Sequence, residues 1–423
     1  MINSATVLIC VILAIVTFTV KRSAIVVPFI IAACFVPTDQ RIIIMGLDFN
    51  VLRILVLTGV LRIFIRNENE YVKWHVVDKL LFAWAISGAV IYTLQYMTFS
   101  AAINRSGVLF DLVGMYWIFR HTIRTMQEVK FTTAVFAVCA LILTPLVLLE
   151  WSTGQNPFRH LGTVETTIRE GKYRCQAAFP HAIMLGVFWA SLVPLFISMA
   201  KTGYMKTLFY SAVAACVFIV FASASSTPLA VLAVGLFFTF AYTLRSYAGT
   251  CTYALAVLLF FLHLVMNKPV WHLISRIDLI GGSTGWHRYH LIDQAIKHIS
   301  QWAILGTSDT RSWGRGLQDI TNQYILEGVR GGLITLVLFI AFLIVAIKGT
   351  YRTSLSTPDQ NWKIFSWAIC ASLCVHAFSF LAVSYFGQAM MLLYINFALA
   401  SFVYEDQFVP LTKISYYPQV AFT

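Results

Sequence analysis

Apolar runs long enough to cross a bilayer, ~17–25 residues each, alternate with polar breaks along most of the chain. About thirteen can be read: roughly 5–20, 24–37, 48–65, 79–98, 106–122, 131–149, 179–199, 206–223, 228–244, 249–265, 329–347, 364–381 and 385–403. The pattern predicts an all-α fold: a polytopic transmembrane helix bundle of about 12–13 spans forming a single integral membrane domain over 1–423. No repeat of roughly 20–50 residues is visible, which excludes a solenoid. No matched pair of interrupted helices marks the two halves of a secondary transporter.

Two long polar interruptions break the rhythm, at about 150–178 and 266–328. The second contains a predicted amphipathic helix, with Ser283 or Thr284 as its cap and Tyr289, Ile292, Ile296 and Ile299 as its apolar stripe. His287, His290, Gln294 and His298 fall on another face, expected to look into a cavity. Gly306, Gly314 and Gly316 mark an irregular stretch, and the chain re-enters the apolar region through Asp319–Tyr324 and Gly328, Gly331 and Gly332.

Composition agrees with a membrane class. Hydrophobic residues make up 59% and charged residues 11% of the 423, with a mean hydropathy of +0.77, against ~25% charged in soluble domains. Met1–Ser4 lacks the basic start of a secretory signal, and Lys21 and Arg22 follow the first apolar run, so the N-terminus is expected outside. Walking the connections in alternation puts Lys21/Arg22, Arg62 to Lys79, Arg120 to Lys130, Lys201/Lys206, Arg245 and Lys348 to Lys363 on one side, as the positive-inside rule requires. The two long loops fall with the other, extracytoplasmic set although they are basic, and long loops follow the rule poorly. Much of the net charge of +12 is therefore topological, and no basic soluble module is present to bind nucleic acid. Of the eight cysteines only Cys175 is expected to be exposed outside, without a disulfide partner. Trp151, Trp271, Trp286, Trp302 and Trp313 are expected mostly at the headgroup level.

A planar guanidinium fork matches phosphate and stays charged, so Arg174, Arg288, Arg311 and Arg315 are candidates to hold a pyrophosphate group. His287 and His290 can act as a general base near neutral pH, and Asp293 lies at the right spacing to orient His290. The same histidines lack the thiols and carboxylates of a zinc site, and no metal is expected. Ser223–Pro228 reads as a polar turn. Asp48, Arg53 and Asp111 are ionisable groups in or near apolar segments; an Arg53–Asp111 pair is one arrangement, and such groups are what a proton-coupled transporter would use.

At these residues the chain resembles the O-antigen ligase and Wzy-type polymerase superfamily of bacterial envelope glycan enzymes. Ser283–Ile296 resembles that family's arginine-bearing helix, Ile304–Thr307 the turn after it, Asp319–Leu333 the re-entry motif, and Arg174–His181 the approach to a central helix. The resemblance implies a membrane glycosyltransferase of the bacterial cytoplasmic membrane, metal-independent, inverting and without cofactor. It would join a lipid-diphosphate-linked oligosaccharide donor to a glycan or lipid acceptor, alongside a chain-length regulator and a flippase. Arg174 and Arg288 match the family's donor-gripping arginines. Where the family has His-Asn this chain has Thr321-Asn322, leaving His287, His290 or Asp319 as the base and Asn322 as a substrate contact. Ser225–Pro228 stands where many members have Ser-Arg-Gly. The alternative is a polysaccharide or lipid-linked-glycan transporter or flippase that uses the loop as a lid.

Overall fold

A computed structural model describes residues 3–44, 47–69, 72–276 and 285–406. Every one of the thirteen apolar runs is a helix. In chain order these are α1 (Ser4–Thr19), α2 (Val26–Phe35), α3 (Val51–Ile65), α4 (Val76–Tyr96), α5 (Phe99–Thr122), α6 (Met126–Thr153) and α7 (Ala182–Lys201). Then come α8 (Lys206–Ala222), α9 (Ser226–Phe240) and α10 (Ala248–Val265). The second long loop adds α11 (Gly285–Lys297) and α12 (Ile299–Trp302), and the chain returns through α13 (Gln323–Ser356), α14 (Gln360–Ser379) and α15 (Gln388–Asp406). Besides short 3-10 turns there are two antiparallel hairpins among the described residues: β1 (Arg41–Ile44) with β2 (Leu47–Asn50), and β3 (Thr167–Arg169) with β4 (Lys172–Arg174). The fold is all-α. Among the described residues six helical stretches are long and apolar enough to cross a membrane, as a multi-pass membrane protein requires.

At the centre stands α7, buried at every residue from Met184 to Ala200. It is apolar all round, which suits a helix enclosed by protein, and α6, α8, α9, α14 and α15 surround it. The outer helices instead turn large apolar side chains outward: Leu8, Ile12 and Ile15 on α1, Leu255, Phe260 and Phe261 on α10, and Ile334, Val337 and Ile344 on α13. Continuous apolar surface of this kind needs a lipid or protein neighbour.

The connections gather at two ends. At one, Asn3 donates to the His160 carbonyl (2.6 Å), Asp39 accepts from Thr163, and Gln388 donates to the carbonyls of Val36 (3.2 Å) and Ala178 (2.8 Å). Arg288 meets the 223–227 turn there too, and Gln323 N–H donates to Phe380. The opposite end carries ion pairs: Arg62–Glu68, Arg22–Glu128 and Arg120–Asp78. Several basic residues read as topological charges are thus also packed and paired; Arg62 is fully buried.

The second loop builds a small core of its own from Leu291, Ala295, Trp302, Trp313, Leu317, Ile320, Leu326 and Val329. This corrects two expectations. Trp302 and Trp313 are packing residues, their indole N–H groups donating to the Ala295 carbonyl and to Gln301 (both 2.8 Å). The buried face of α11 runs through Gly285, Arg288, Leu291 and Ala295, while Ile296 and Ile299 are exposed. Placing Arg288 on the inner face rotates the helix away from the stripe its isoleucines suggest. The proposed caps Ser283 and Thr284 lie outside the described residues. Cys175 is another correction: it is fully buried, and burial pushes its thiol up to about 12. All eight cysteines are free.

The Ile304–Thr307 turn docks on the re-entry segment backbone to backbone. Thr307 N–H donates to Val329 (2.8 Å) and Leu333 N–H to Ala303 (2.8 Å). At Gly332 α13 breaks, with φ 66°. Gly306 also has positive φ (72°), and a Cβ there would lie 2.1 Å from the Val329 carbonyl oxygen. Gly171 has φ 72° too, but a Cβ there would meet nothing. Gly306→Ala is therefore expected to lower stability by roughly 1–3 kcal/mol more than Gly171→Ala. Equal melting shifts for the two purified variants would contradict this docking.

Candidate active site

Three connections at the loop-rich end build the site. Glu150, fully buried at the end of α6, accepts from Thr166 Oγ1 (2.8 Å) and from the backbone N–H groups of Gln176 (3.0 Å) and Ala177 (2.9 Å). Cys175 N–H donates to the Ala222 carbonyl (3.1 Å), and Asn156 holds the Ala177 carbonyl (2.9 Å). These bonds fix both sides of Arg174 at the end of β4. Glu170 and Gly171 supply the positive-φ turn of the hairpin. Its register pairs Thr167 with Arg174, so Arg169, two residues on from Thr167, shares the face of Arg174.

Arg174 and Arg288 are both buried, each 8% exposed. Arg288 Nη2 donates to Thr227 Oγ1 at 2.8 Å, whereas its Nε and the Nε and Nη2 of Arg174 are buried without hydrogen-bond partners. Burial first, then the positive charge of Arg169, pulls both guanidinium groups below their ordinary pKa. They remain charged at neutral pH, because arginine starts far above it. No described carboxylate offsets either one. A buried charge without a counter-charge is costly, and an anion with several oxygens relieves that cost through charge-assisted hydrogen bonds.

His181 caps α7, its Nδ1 accepting the Ile183 N–H at 3.1 Å. In the neutral ring this leaves the proton on Nε2. Burial, then the charge of Arg174, pulls its pKa below the ordinary value, against an opposite pull from Asp319. Asp319 therefore belongs electrostatically to the same neighbourhood and is exposed.

The other expected residues lie around this centre. His287 and His290 pack on the glycine turn at 314–316; His290 Nε2 would be 3.0 Å from a Cβ at Gly314. His290 stacks on Trp286 (4.7 Å between centroids) and His298 on Trp313 (5.6 Å). Their face of α11 thus meets the 311–316 segment, where an open cavity was expected. Asp293 pairs with Lys297 at 2.7 Å. Arg311 is exposed and paired with Asp309 at 2.9 Å, and Arg315 is exposed. Asn322 caps α13, accepting from Ile325 N–H (3.1 Å) and donating to Leu381 (3.1 Å). Thr321 keeps a buried hydroxyl without a partner. Among the described residues no three His, Cys, Asp or Glu side chains converge as metal ligands would.

Sequence reasoning missed Arg169, and it named His181 in the Arg174–His181 stretch and Thr227 in the Ser223–Pro228 turn without assigning either to the site. The Glu-Gly hairpin turn carried the signal for Arg169, and a histidine directly after Pro180 at a helix start carried that for His181. The Arg53–Asp111 pair does form, with two bonds of 2.9 and 2.6 Å. It lies beside a cavity of about 430 Å³ that none of the expected catalytic or substrate-binding residues lines.

Because His181 has a depressed pKa, the unfolded chain takes up its proton first as pH falls below the ordinary ~6.5. The His181 contribution should therefore lower stability on going from pH 7.5 to 5.5. His181→Asn keeps a good helix cap and should lose less thermal stability over that range than wild type. An unchanged difference in melting temperature would refute the buried, neutral histidine.

No protein-family model matches the chain, and no curated protein matches it.

Proposed function

We propose that this protein is a membrane glycosyltransferase that polymerises or ligates lipid-diphosphate-linked oligosaccharides at the outer leaflet of a bacterial cytoplasmic membrane, without metal and with inversion. The observation that carries the reading is the pair of buried arginines, Arg174 and Arg288, which come from different long loops and have no counter-charge among the described residues. A diphosphate supplies the missing charge and the oxygens their guanidinium groups require. Two further supports accompany that pair: the resemblance of the Arg174, Arg288 and re-entry segments to envelope glycan enzymes, and the convergence of both long loops at one end of the bundle.

In this reading Arg174, Arg288 and the His181 Nε2–H hold the diphosphate oxygens. The acceptor hydroxyl oxygen attacks the anomeric carbon from the face opposite the diphosphate. As that bond forms, the bond from carbon to diphosphate oxygen breaks, and the lipid diphosphate leaves with the electron pair. The hydroxyl proton passes to the Asp319 carboxylate, favoured over His287 and His290 by its electrostatic contact with His181. The arginines count most as negative charge grows on the leaving oxygen.

One observation favours the transport reading: α13 is broken at Gly332, and broken helices line transporter pathways. Transbilayer movement of a labelled lipid-linked oligosaccharide without any chain growth, in vesicles containing the purified protein, would select it.

Purified protein given lipid-diphosphate oligosaccharide and acceptor should extend or transfer the glycan, with chelator present as well as absent. Arg174→Gln and Arg288→Gln should each lower the rate by about 10²–10³, and Lys297→Gln should leave it unchanged. Activity surviving Arg288→Gln, or abolished by chelator, defeats the proposal. Asp319→Asn should lower kcat by about 10²–10⁴; an unaltered kcat would move the base to His287 or His290.

A further inference from the structure

The cavity of about 430 Å³ opens among the β1–β2 hairpin, α4, α5, α13 and α15, within the roughly 300–1,000 Å³ usual for small-molecule sites. Its charged groups divide into spent and available. Arg41 is paired with Asp48 at 2.8 Å, and the fork of Arg53 is filled by Asp111. Arg105 and Arg330 have no ion pair with a described carboxylate, although both line the cavity. The Arg105 guanidinium lies over the Tyr92 ring, 3.8 Å from its centroid, and its Nε is buried without a hydrogen-bond partner. Stacking uses the face of the guanidinium and leaves its donor edge for a ligand.

The two available arginines are close enough to repel each other, and both act on Glu327. Glu327 is itself fixed, accepting from Trp84 Nε1 (2.8 Å) and Gln323 Nε2 (2.7 Å). Asp48 is neutralised by Arg41, and Asp111 by Arg53, which is outside the lining. Two guanidinium charges then stand against the Glu327 carboxylate and leave one positive charge in excess. One carboxylate balances it; a phosphate monoester would bring about −1.5 to −2. Trp84, Tyr385 and Phe386 add aromatic surface of the kind that packs against a sugar ring. Gly387, also in the lining, packs against Pro180, the residue before His181, so the cavity adjoins the start of α7 across the 385–387 turn.

We propose that this cavity is a carboxylate subsite that takes a uronic acid residue of the acceptor glycan, anchored by Arg105 and Arg330. Its assignment to the acceptor rests on the transferase reading; the binding of an acidic sugar there does not.

Saturation-transfer NMR on the purified full-length protein in detergent tests it, using a glucuronate-terminated disaccharide and its neutral methyl ester. Wild type should bind the acid at least tenfold more tightly than the ester. Arg330→Gln and Arg105→Gln should reduce the acid to the affinity of the ester, and Arg288→Gln should leave the preference intact. Arg105→Lys, which keeps the charge but loses the fork, guards against misfolding and should give an intermediate preference. Equal binding of acid and ester, or a preference that survives Arg330→Gln, overturns the subsite. So does displacement of the acid by glycerophosphoglycerol at equal concentration, which would make the cavity a lipid-headgroup pocket. An intact carboxylate preference in a protein that transfers no glycan removes only the acceptor role.

Discussion

An apolar bundle offers its polar groups no water, so every backbone and side-chain donor at the helix ends must find a partner within the protein. That requirement shapes the loop-rich end. Glu150 collects two backbone N–H groups and a hydroxyl, Gln388 reaches two carbonyls from different connections, and Asn322 ties the start of α13 to the turn after α14. Each bond stitches together segments far apart in sequence. The result is a cross-linked rim, and Arg174 and Asn322 belong to it.

Arg174 and Arg288 are exceptions to the same rule. Elsewhere the structure satisfies buried charge with precision: Arg62 has Glu68 and Arg120 has Asp78. Around Arg174 and Arg288 it supplies one hydroxyl and a third positive charge. Where both long loops meet, no described carboxylate compensates these two. The contrast within one molecule is a stronger guide to function than the burial of either arginine alone.

The helices were legible because a long apolar run has few other ways to fold, and each of the thirteen runs became one. Among the described residues, however, only six helical stretches, against the 12–13 spans expected, are long and apolar enough to cross a membrane. Faces were less legible. Leu291 and Ala295 bury together with Arg288, so the inner side of α11 carries a charge that periodicity assigns to the outside. Trp302 and Trp313 read as interfacial by residue type, yet they fill a core made within the loop itself. Cys175 reads as exposed because its neighbours are polar, but the bonds to Glu150 draw it inside. Arg174 and Arg288 could be singled out by chemistry; that both lie within the field of Arg169 could not. The Arg105–Arg330 cavity was invisible because it is assembled from helices whose contacts depend on packing rather than on any local signal.

The central position of α7 has a consequence for how the protein is made. This helix is synthesised before α14 and α15, yet those two form part of its enclosure. During synthesis it must therefore wait with one side facing lipid. An amphipathic helix would carry polar groups into hydrocarbon during that interval. Because α7 is apolar on every side, lipid and protein are interchangeable neighbours for it, and the bundle can close around it late without passing through a poorly solvated intermediate.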